Sequence, residues 1–269
     1  MMYLGVCAII KDEGRHIGEW LAYYAALGAE AFYLYDNGSE TPLAESLADI
    51  VANSPELLFR LHTIPGEKRQ MQAYNHCLAT YKNECRWVAF IDLDEFIVPL
   101  EKNSIPEMLM AYEKYAGLAL SWKTFGTNGH KRPPPGLQTT NYTRALPFEA
   151  GMNTHVKNIV DPARFKKFLN PHRGETVGPD DIVVDVLERP APAAFLDPPV
   201  WQVGHINHYY YRSREEFVKK LQVPRADSNT LRMDAVRGLK VPEGEVEDSS
   251  ILRFVPAIKR NMRRMRGVL

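Results

Sequence analysis

The feature that most constrains the fold is a short segment that is apolar at every position and ends in a charged cluster. Residues 4–10 form the first such segment, and the charged residues 11–13 follow it at once. Residues 31–35 and 87–91 are further apolar segments of this kind. Because a strand without alternation must be covered on both faces, these segments predict buried strands of a parallel sheet.

Segments with helical spacing separate these strands. Apolar residues recur at intervals of three and four over residues 17–27, and helices are also predicted over 43–51 and 70–81. A further strand is predicted over 57–62. Strand and helix therefore alternate, which predicts an α/β protein with a mostly parallel open sheet flanked by helices. Ligands of such sheets bind beyond the carboxyl ends of the strands.

The second half of the chain is less regular. A helix over 105–115 and a strand over 118–122 precede a stretch rich in Gly and Pro, residues 125–143. Short strands and polar segments follow, and helices dominate the last part of the chain. We therefore expect a ligand-binding and catalytic domain over residues 1–215 and a helical extension over 216–269.

The charge and the cysteine content limit which classes of protein this chain can belong to. The chain has 33 Lys and Arg residues and 33 Asp and Glu residues, so its net charge is zero. No overall charge therefore attracts nucleic acid, and any site for a polyanion is local. The three scattered cysteines fit buried free thiols better than a disulfide framework.

We find neither a secretory-signal pattern nor an apolar run near the ~18 residues of a membrane span. The expectation is a cytoplasmic or cytosol-facing protein.

The most informative motif is Asp92-Leu93-Asp94, directly after the apolar residues 87–91. Residues two apart on a strand face the same side, so both carboxylates can share one site. Two adjacent anions are costly without a cation, and hard oxygen ligands suit Mg²⁺ or Mn²⁺. Such a metal would offset the charge of a diphosphate. The plain alternative is a solvated acidic turn, but the position after a fully apolar strand favours a site.

Other proteins use similar patterns. Haloacid-dehalogenase-type phosphatases usually carry Asp-x-Asp on their first strand with Thr or Val two residues on, whereas here the motif ends the fourth strand and Phe96 takes that position. Sugar nucleotidyltransferases usually need a basic Gly-rich loop after the first strand, where residues 11–14 read Lys-Asp-Glu-Gly. A non-catalytic module that binds a nucleotide-sugar is the third alternative.

Several ordered blocks resemble glycosyltransferase family 92 and related GT-A glycosyltransferases of family 2 type. The blocks lie at residues 10–13, 19–29, 32–39, 70–78, 87–96, 122–130, 157–162 and 206–213. The resemblance implies a GT-A fold, a nucleotide-sugar donor that is often UDP-linked, a divalent metal and inversion at the anomeric carbon. After its final helix the family commonly has Arg-Gly, where this chain reads Pro-Arg-Ala-Asp at residues 224–227.

The strand ends and the resemblance together assign candidate residues. Donor binding falls to Lys11, Glu13, Asp36, Arg69, Gln70, Asn75, Asp92 and Lys157. Metal binding falls to Asp92, Asp94 and His208, with His205 as the second choice of histidine. Asp36 is expected at the nucleotide base, and Arg69 and Gln70 at a helix N-terminus that favours diphosphate. Each has a structural alternative, such as a turn carboxylate, a surface charge or an ion-pair partner.

An inverting transferase also needs a general base at the acceptor hydroxyl, which belongs to a glycan or another acceptor. The candidates are Asp227, Glu95, Glu149 and Asp161. We favour Asp227, because it follows the helix after the histidine block and could close over the acceptor.

The C-terminus has a basic amphipathic pattern. Apolar residues recur at alternating spacings of four and three, at Ile251, Val255, Ile258, Met262, Met265 and Leu269. Lys and Arg occupy the other faces. The apolar stripe predicts a helix that docks on the domain. We place docking ahead of peripheral contact with an anionic membrane, which would suit a lipid-linked acceptor.

Overall fold

The computed structural model describes residues 1–222 and 241–268. The strands are β1 Met2–Ile10, β2 Ala31–Asp36, β3 Leu58–Thr63, β4 Cys85–Phe90, β5 Glu95–Pro99, β6 Gly117–Thr124, β7 Arg144–Ala145, β8 Val156–Val160, β9 Phe165–Asn170, β10 Arg173–Thr176, β11 Val183–Val184, β12 Gly204–His208 and β13 Val246–Glu247. The α-helices are α1 Ile17–Ala26, α2 Leu43–Ser46, α3 Ala48–Ala52, α4 Gln70–Tyr81, α5 Ile105–Leu109, α6 Gln138–Asn141, α7 Arg214–Gln222 and α8 Val255–Met265.

A central sheet organises the protein. Its strand order is β3-β2-β1-β4-β8-β6-β12-β5, with β11 beside β6. Strands β3, β2, β1 and β4 are mutually parallel, and so are β6 and β12, whereas β8 and β5 run against their neighbours. The predicted α/β class with a mostly parallel sheet is therefore confirmed. A parallel half that ends in an acidic motif after β4 is the arrangement expected of a GT-A fold.

Alternation along the strands divides the apolar side chains between the two faces of the sheet. On β1, Val6 and Ala8 join the core that includes α1, whereas Cys7 packs on the opposite face with α4. Because helices cover both faces, the strands need no polar face, which explains their continuously apolar sequence. The carboxyl ends of β1, β2, β4, β6 and β12 consequently lie along one edge, where the acidic motif is found.

The structure differs from the prediction where local signals are short. The helix predicted over 43–51 divides into α2 and α3 at Leu47. The Ser46 hydroxyl donates to the Leu43 carbonyl at 3.1 Å, a local bond that competes with a continuous helix. The strand β5 begins directly after the motif and pairs with β12, more than a hundred positions later in the chain. No local pattern predicts that pairing.

The C-terminal helix α8 docks on the domain, as its apolar stripe predicts. It packs against α1, and Ile251, Ile258 and Met265 are at most 1% exposed. The Asn261 amide donates to the Ala22 carbonyl on α1 at 3.1 Å. The C-terminal part of the predicted extension, residues 251–265, therefore shares one hydrophobic core with the rest of the domain. Leu269, the last residue of the stripe, lies outside the described residues.

The basic face of α8 points away from this core. Lys259, Arg260, Arg263 and Arg266 are exposed, and Arg264 pairs with Glu56 at 2.6 Å. Within residues 1–222 and 241–268, no helix combines the length and the apolar character that crossing a membrane requires.

Candidate functional site

The acidic motif lies in the tight turn between β4 and β5. The Glu95 amide donates to the Asp92 carbonyl at 3.1 Å, and the Asp92 amide donates to Glu95 Oε2 at 2.9 Å. The Trp20 indole on α1 also donates to the Asp92 carbonyl, at 3.1 Å. These bonds fix the turn, so Asp92 and Asp94 extend from a well-anchored backbone.

The Asp92 carboxylate is held by three donors from two other elements. Gln70 Nε2 and Tyr74 OH, both on α4, donate to Oδ1 at 3.0 and 3.1 Å. Lys157 Nζ, on β8, donates to Oδ2 at 2.9 Å. The Asp92 side chain is nevertheless 34% exposed. Part of this immobilised carboxylate therefore faces solvent at the carboxyl edge of the sheet.

Lys157 and Glu95 lie beneath Asp92. Both side chains are 0% exposed, and Lys157 Nζ is 3.7 Å from Glu95 Oε2. Burial lowers the pKa of Lys157, but the charges of Asp92 and Glu95 outweigh it and hold that pKa well above its usual value. Burial raises the pKa of Glu95 to about 8, although the charge of Lys157 opposes this shift. Glu95 supports the motif from below and has no surface that an acceptor can reach, which argues against its predicted role as the base.

Asp94 faces a different set of groups. Its Oδ2 lies 3.6 Å from His208 Nε2 on β12 and 2.5 Å from Lys220 Nζ on α7. Burial raises the pKa of Asp94, but the charge of Lys220 and the contact with His208 outweigh it and hold that pKa well below its usual range. Burial lowers the pKa of His208, which favours the neutral imidazole that binds metals. The two carboxylates of the motif therefore have different partners.

The predicted metal ligands are brought together only in part. In the part of the chain that the structure describes, no group of three or more His, Cys, Asp or Glu side chains could hold a metal ion. Asp94 and His208 form a pair, whereas Asp92 is bound to Lys157. Mg²⁺ is usually held by one or two carboxylates together with substrate phosphates. The pair therefore fits a metal that arrives with a diphosphate, and Lys220 holds the oxygen that this metal would need.

The second choice of metal-binding histidine does not reach this pair. Successive residues of a strand point to opposite faces, so His205 and His208, three apart, lie on opposite faces of β12. His205 Nε2 lies 2.9 Å from Asn207 Oδ1 and 3.9 Å from Asp248. Burial lowers the pKa of His205 to about 4. His205 is therefore a neutral core histidine, and the structure corrects its assignment as a ligand.

Asp36 and Asn75, both predicted to bind the donor, have structural partners. The Asp36 carboxylate accepts the amide N–H groups of Ser39 and Leu43 at 2.8 and 2.9 Å, which is the turn arrangement. Asn75 uses both ends of its amide on the Phe168 backbone, at 2.7 and 3.2 Å. The structure thus gives Asp36 a role in the turn after β2 and Asn75 a role in joining α4 to β9.

Of the other residues predicted to bind the donor, only some lie in contact with the motif. Arg69 donates to the Pro65 carbonyl and to Gln72, which orders the chain before α4. Lys11 is exposed, and Glu13 pairs with Arg212 at 2.8 Å. Gln70, Lys157 and Asp92 therefore form the part of the predicted set that the structure brings into direct contact.

Two of the candidate bases, Glu149 and Asp161, lie away from the motif. Glu149 is exposed in a turn after β7. Asp161 pairs with Arg86 just beyond β8. Because β8 is antiparallel to β4, its final residue lies at the opposite edge of the sheet from Asp94. Asp227 lies outside the described residues.

Sequence reasoning did not single out Tyr74, Arg212 and Lys220. Tyr74 lies one turn after Gln70, so the helix places both on one face. The other two follow from a signal that the sequence carries. Ser213 and Glu216 form a capping box, with amide-to-side-chain bonds of 3.1 and 3.3 Å. That box sets the start of α7, with Arg212 just before it and Lys220 along it.

Comparison with known proteins identifies the family. The model of glycosyltransferase family 92 matches residues 4–233. The chain belongs to this family. A glycosyltransferase family 92 protein of Ricinus communis is 32% identical over 145 residues, 51% of this chain and 25% of the relative. The galactan beta-1,4-galactosyltransferase GALS2 of Arabidopsis thaliana is 30% identical over 125 residues, 43% of this chain and 24% of the relative.

This family 92 chain spans about a quarter to a third of the length of the curated relatives it matches. Among solved structures, residues 1–349 of Staphylococcus aureus TarS in complex with UDP-GlcNAc align with a TM-score of 0.39 at 18% identity. That alignment covers 60% of this chain and 46% of the TarS chain. A TM-score of this size carries no conclusion about ligand or site.

Proposed function

We propose that this family 92 chain is an inverting glycosyltransferase that moves a sugar from a UDP-linked donor to a hydroxyl group of a glycan acceptor, with a divalent metal ion. The proposal rests on one observation, that the two carboxylates of the motif have different partners. Asp92 is immobilised by Lys157 and keeps an exposed part, whereas Asp94 pairs with a neutral His208. Both carboxylates lie at the carboxyl edge of the sheet, where α/β proteins bind their ligands.

In this proposal the two carboxylates have different functions. Asp92 binds the donor ribose through its exposed part, and Lys157 holds it in place. Asp94 and His208 would hold Mn²⁺ or Mg²⁺ together with the diphosphate. When bound, the metal would offset the charge that develops on the leaving nucleoside diphosphate. Asp227 stays the proposed base, which takes the proton of the acceptor hydroxyl as its oxygen attacks the anomeric carbon and the bond from that carbon to the diphosphate oxygen breaks.

A non-catalytic module that binds a nucleotide-sugar is the second candidate. The position of Lys220 favours it, because the ammonium lies 2.5 Å from the Asp94 oxygen that a metal would need. A permanent ion pair there would allow binding without metal and without turnover. Slow, metal-dependent hydrolysis of a UDP-sugar without acceptor separates the two, since only the transferase shows it. The phosphatase and nucleotidyltransferase alternatives are excluded by family membership.

Donor binding is expected to stabilise the protein only when metal is present. At a ligand concentration ~100 times the dissociation constant, binding contributes about 2.7 kcal/mol. For a chain of this size that raises the melting temperature by several degrees, at about 2–4 °C per kcal/mol. Differential scanning fluorimetry with UDP-sugars, each with and without Mn²⁺, measures the shift. The proposal fails if no nucleotide-sugar or nucleoside diphosphate raises the melting temperature in the presence of metal.

Contact with the cytosolic face of an anionic membrane is a separate proposal. Within residues 251–265 the apolar stripe packs on the core, so only the exposed basic face of α8 is available. Each Lys or Arg near such a surface contributes ~1 kcal/mol, and salt screens the attraction. We expect the chain to float with phosphatidylserine vesicles at low salt and to be released at high salt.

A charge-matched pair of variants tests this proposal by vesicle flotation. One variant removes three charges from α8, at Arg260, Arg263 and Arg266, each changed to Gln. The control removes three exposed charges elsewhere, at Lys166, Lys167 and Arg173. Loss of flotation in the first variant only supports membrane contact. Equal flotation of both variants, or none by the unmodified chain, contradicts it.

A further inference from the structure

Arg212 lies between β12 and α7, where its charge acts on Asp94 at the carboxyl edge of the sheet. Its side chain is 11% exposed, and Nη1 donates to Glu13 Oε2 at 2.8 Å. Its backbone φ is +45°, in the left-handed region that residues other than glycine rarely adopt. The ion pair with Glu13 and this fixed backbone hold the guanidinium in one orientation.

Two nitrogens of this guanidinium have no partner among the residues that the structure describes. Nε and Nη2 of Arg212 are buried, and neither makes a hydrogen bond within residues 1–222 and 241–268. A charged donor that is removed from water without a partner is costly to the folded state. Functional sites are where proteins commonly retain such a cost, because a ligand then supplies the missing acceptors. A ligand that brings two oxygens would therefore supply the acceptors that these two nitrogens lack.

The surrounding charges indicate the sign of that ligand. Burial lowers the pKa of Arg212, and the charges of Glu13 and Asp94 more than offset this. Asp94 is in turn paired with Lys220. Glu13 and Asp94 therefore neutralise Arg212 and Lys220 within the group. A divalent metal added at Asp94 would leave the group with a net positive charge, which fits an anionic ligand.

We propose that Arg212 binds the diphosphate of the donor through Nε and Nη2, and that Glu13 positions it. The inference rests on the proposed function and extends it to the group that recognises the phosphates. The planar fork of an arginine matches two phosphate oxygens, and its charge persists at every physiological pH. The same contact meets the charge that builds up on the diphosphate as it leaves the sugar.

Calorimetric titration with inorganic pyrophosphate and with UDP, both with Mn²⁺, tests the inference. Loss of a hydrogen bond to a charged group corresponds to roughly tenfold to a hundredfold in affinity. We expect Arg212→Lys to weaken pyrophosphate and UDP about tenfold, because the charge stays and the fork is lost. Arg212→Gln is expected to weaken both about a hundredfold. The exposed neighbour Arg214 supplies the control, and Arg214→Gln is expected to change neither affinity.

Glu13→Gln separates positioning from simple electrostatics. Removing an anion from the site would strengthen anion binding if Glu13 acted only through its charge. A positioning role predicts the opposite sign, a loss of several-fold, because Arg212 is no longer held in place. Melting temperatures of all variants without ligand show whether they remain folded.

The outcomes distinguish this inference from the proposed function. If the unmodified chain binds pyrophosphate and UDP, and both Arg212 variants bind them equally well, the inference is wrong while the proposed function stands. If the unmodified chain binds pyrophosphate but not UDP, the donor nucleotide is wrong and the effect of Arg212 is still measured with pyrophosphate. If it binds neither with Mn²⁺, the inference and the proposed function both fail.

Discussion

Replacing Asp94 by Asn is expected to abolish the metal-dependent part of UDP-sugar binding. We also expect the transfer rate to fall by about 100-fold or more, which is the range seen when one group that stabilises developing charge is removed. Asn keeps the shape of the side chain but lacks the charge that pairs with a cation, and Asp94 is one of the two metal ligands that we propose, 3.6 Å from the other, His208. Calorimetry of UDP with and without Mn²⁺ measures the binding. The exposed Asp180 supplies a matched control, Asp180→Asn. An undiminished effect of Mn²⁺ on the Asp94→Asn variant would show that the metal binds elsewhere.

A second variant at the same carboxylate is expected to have the opposite effect. Lys220→Met removes the ammonium that holds Asp94 Oδ2, so Mn²⁺ no longer competes with it. We expect the affinity for Mn²⁺ alone to rise about tenfold, the equivalent of one charge-assisted hydrogen bond. Lys219→Met is the control, because Lys219 lies next to it on α7 and pairs with Glu215 in solvent. A weaker affinity for Mn²⁺ in Lys220→Met would mean that Lys220 supports the metal site instead of competing for it.

Replacing Lys157 by Met is expected to cause the largest loss of stability. Lys157 is 0% exposed and lies 2.9 Å from Asp92 and 3.7 Å from Glu95. Removing one partner of a buried ion pair costs about 3–5 kcal/mol, and we expect the lower end of that range because Asp92 is 34% exposed. Met has nearly the same length, so little packing is lost. Urea unfolding followed by circular dichroism measures the change.

The exposed Lys167 provides the control for this variant. Lys167→Met removes the same charge from β9, the next strand along the chain, and is expected to change stability by about 0.5 kcal/mol or less. A loss below about 1 kcal/mol in Lys157→Met would contradict an ionic core beneath the motif. In that case Asp92 must be held chiefly by Gln70 and Tyr74.

Local periodicity predicted the first half of the fold closely. Helix α4 spans the residues that the helical spacing indicates, and α1 and β2 differ from their predictions by one residue. These elements are long and strongly patterned, so contacts with sequence neighbours determine them. The short segment over 43–51 carries a weaker signal, and there a single hydroxyl bond from Ser46 coincides with the end of α2. Strand β5 has no local signal, because its partner β12 comes much later in the chain.

The candidate site shows the same division between local and distant information. From the sequence alone, Asp92 and Asp94 are equivalent carboxylates at the end of a buried strand. Their different roles come from partners far along the chain: Lys157 is 65 residues from Asp92, and Lys220 is 126 residues from Asp94. His205 and His208 likewise cannot be separated until the strand that carries them is known, since only its alternation puts them on opposite faces.

The sequence by itself therefore determined the buried parallel strands, the helices between them, the acidic motif at a strand end and the amphipathic stripe of the last helix. Each is written in the spacing of apolar residues over a few turns or one strand. Only the tertiary structure decided that Asp92 pairs with Lys157 and Asp94 with Lys220, and that Arg212 is buried with two nitrogens unpartnered among the described residues. Charge and burial at a site depend on every element that packs around it, and that packing brings together residues that no local pattern links.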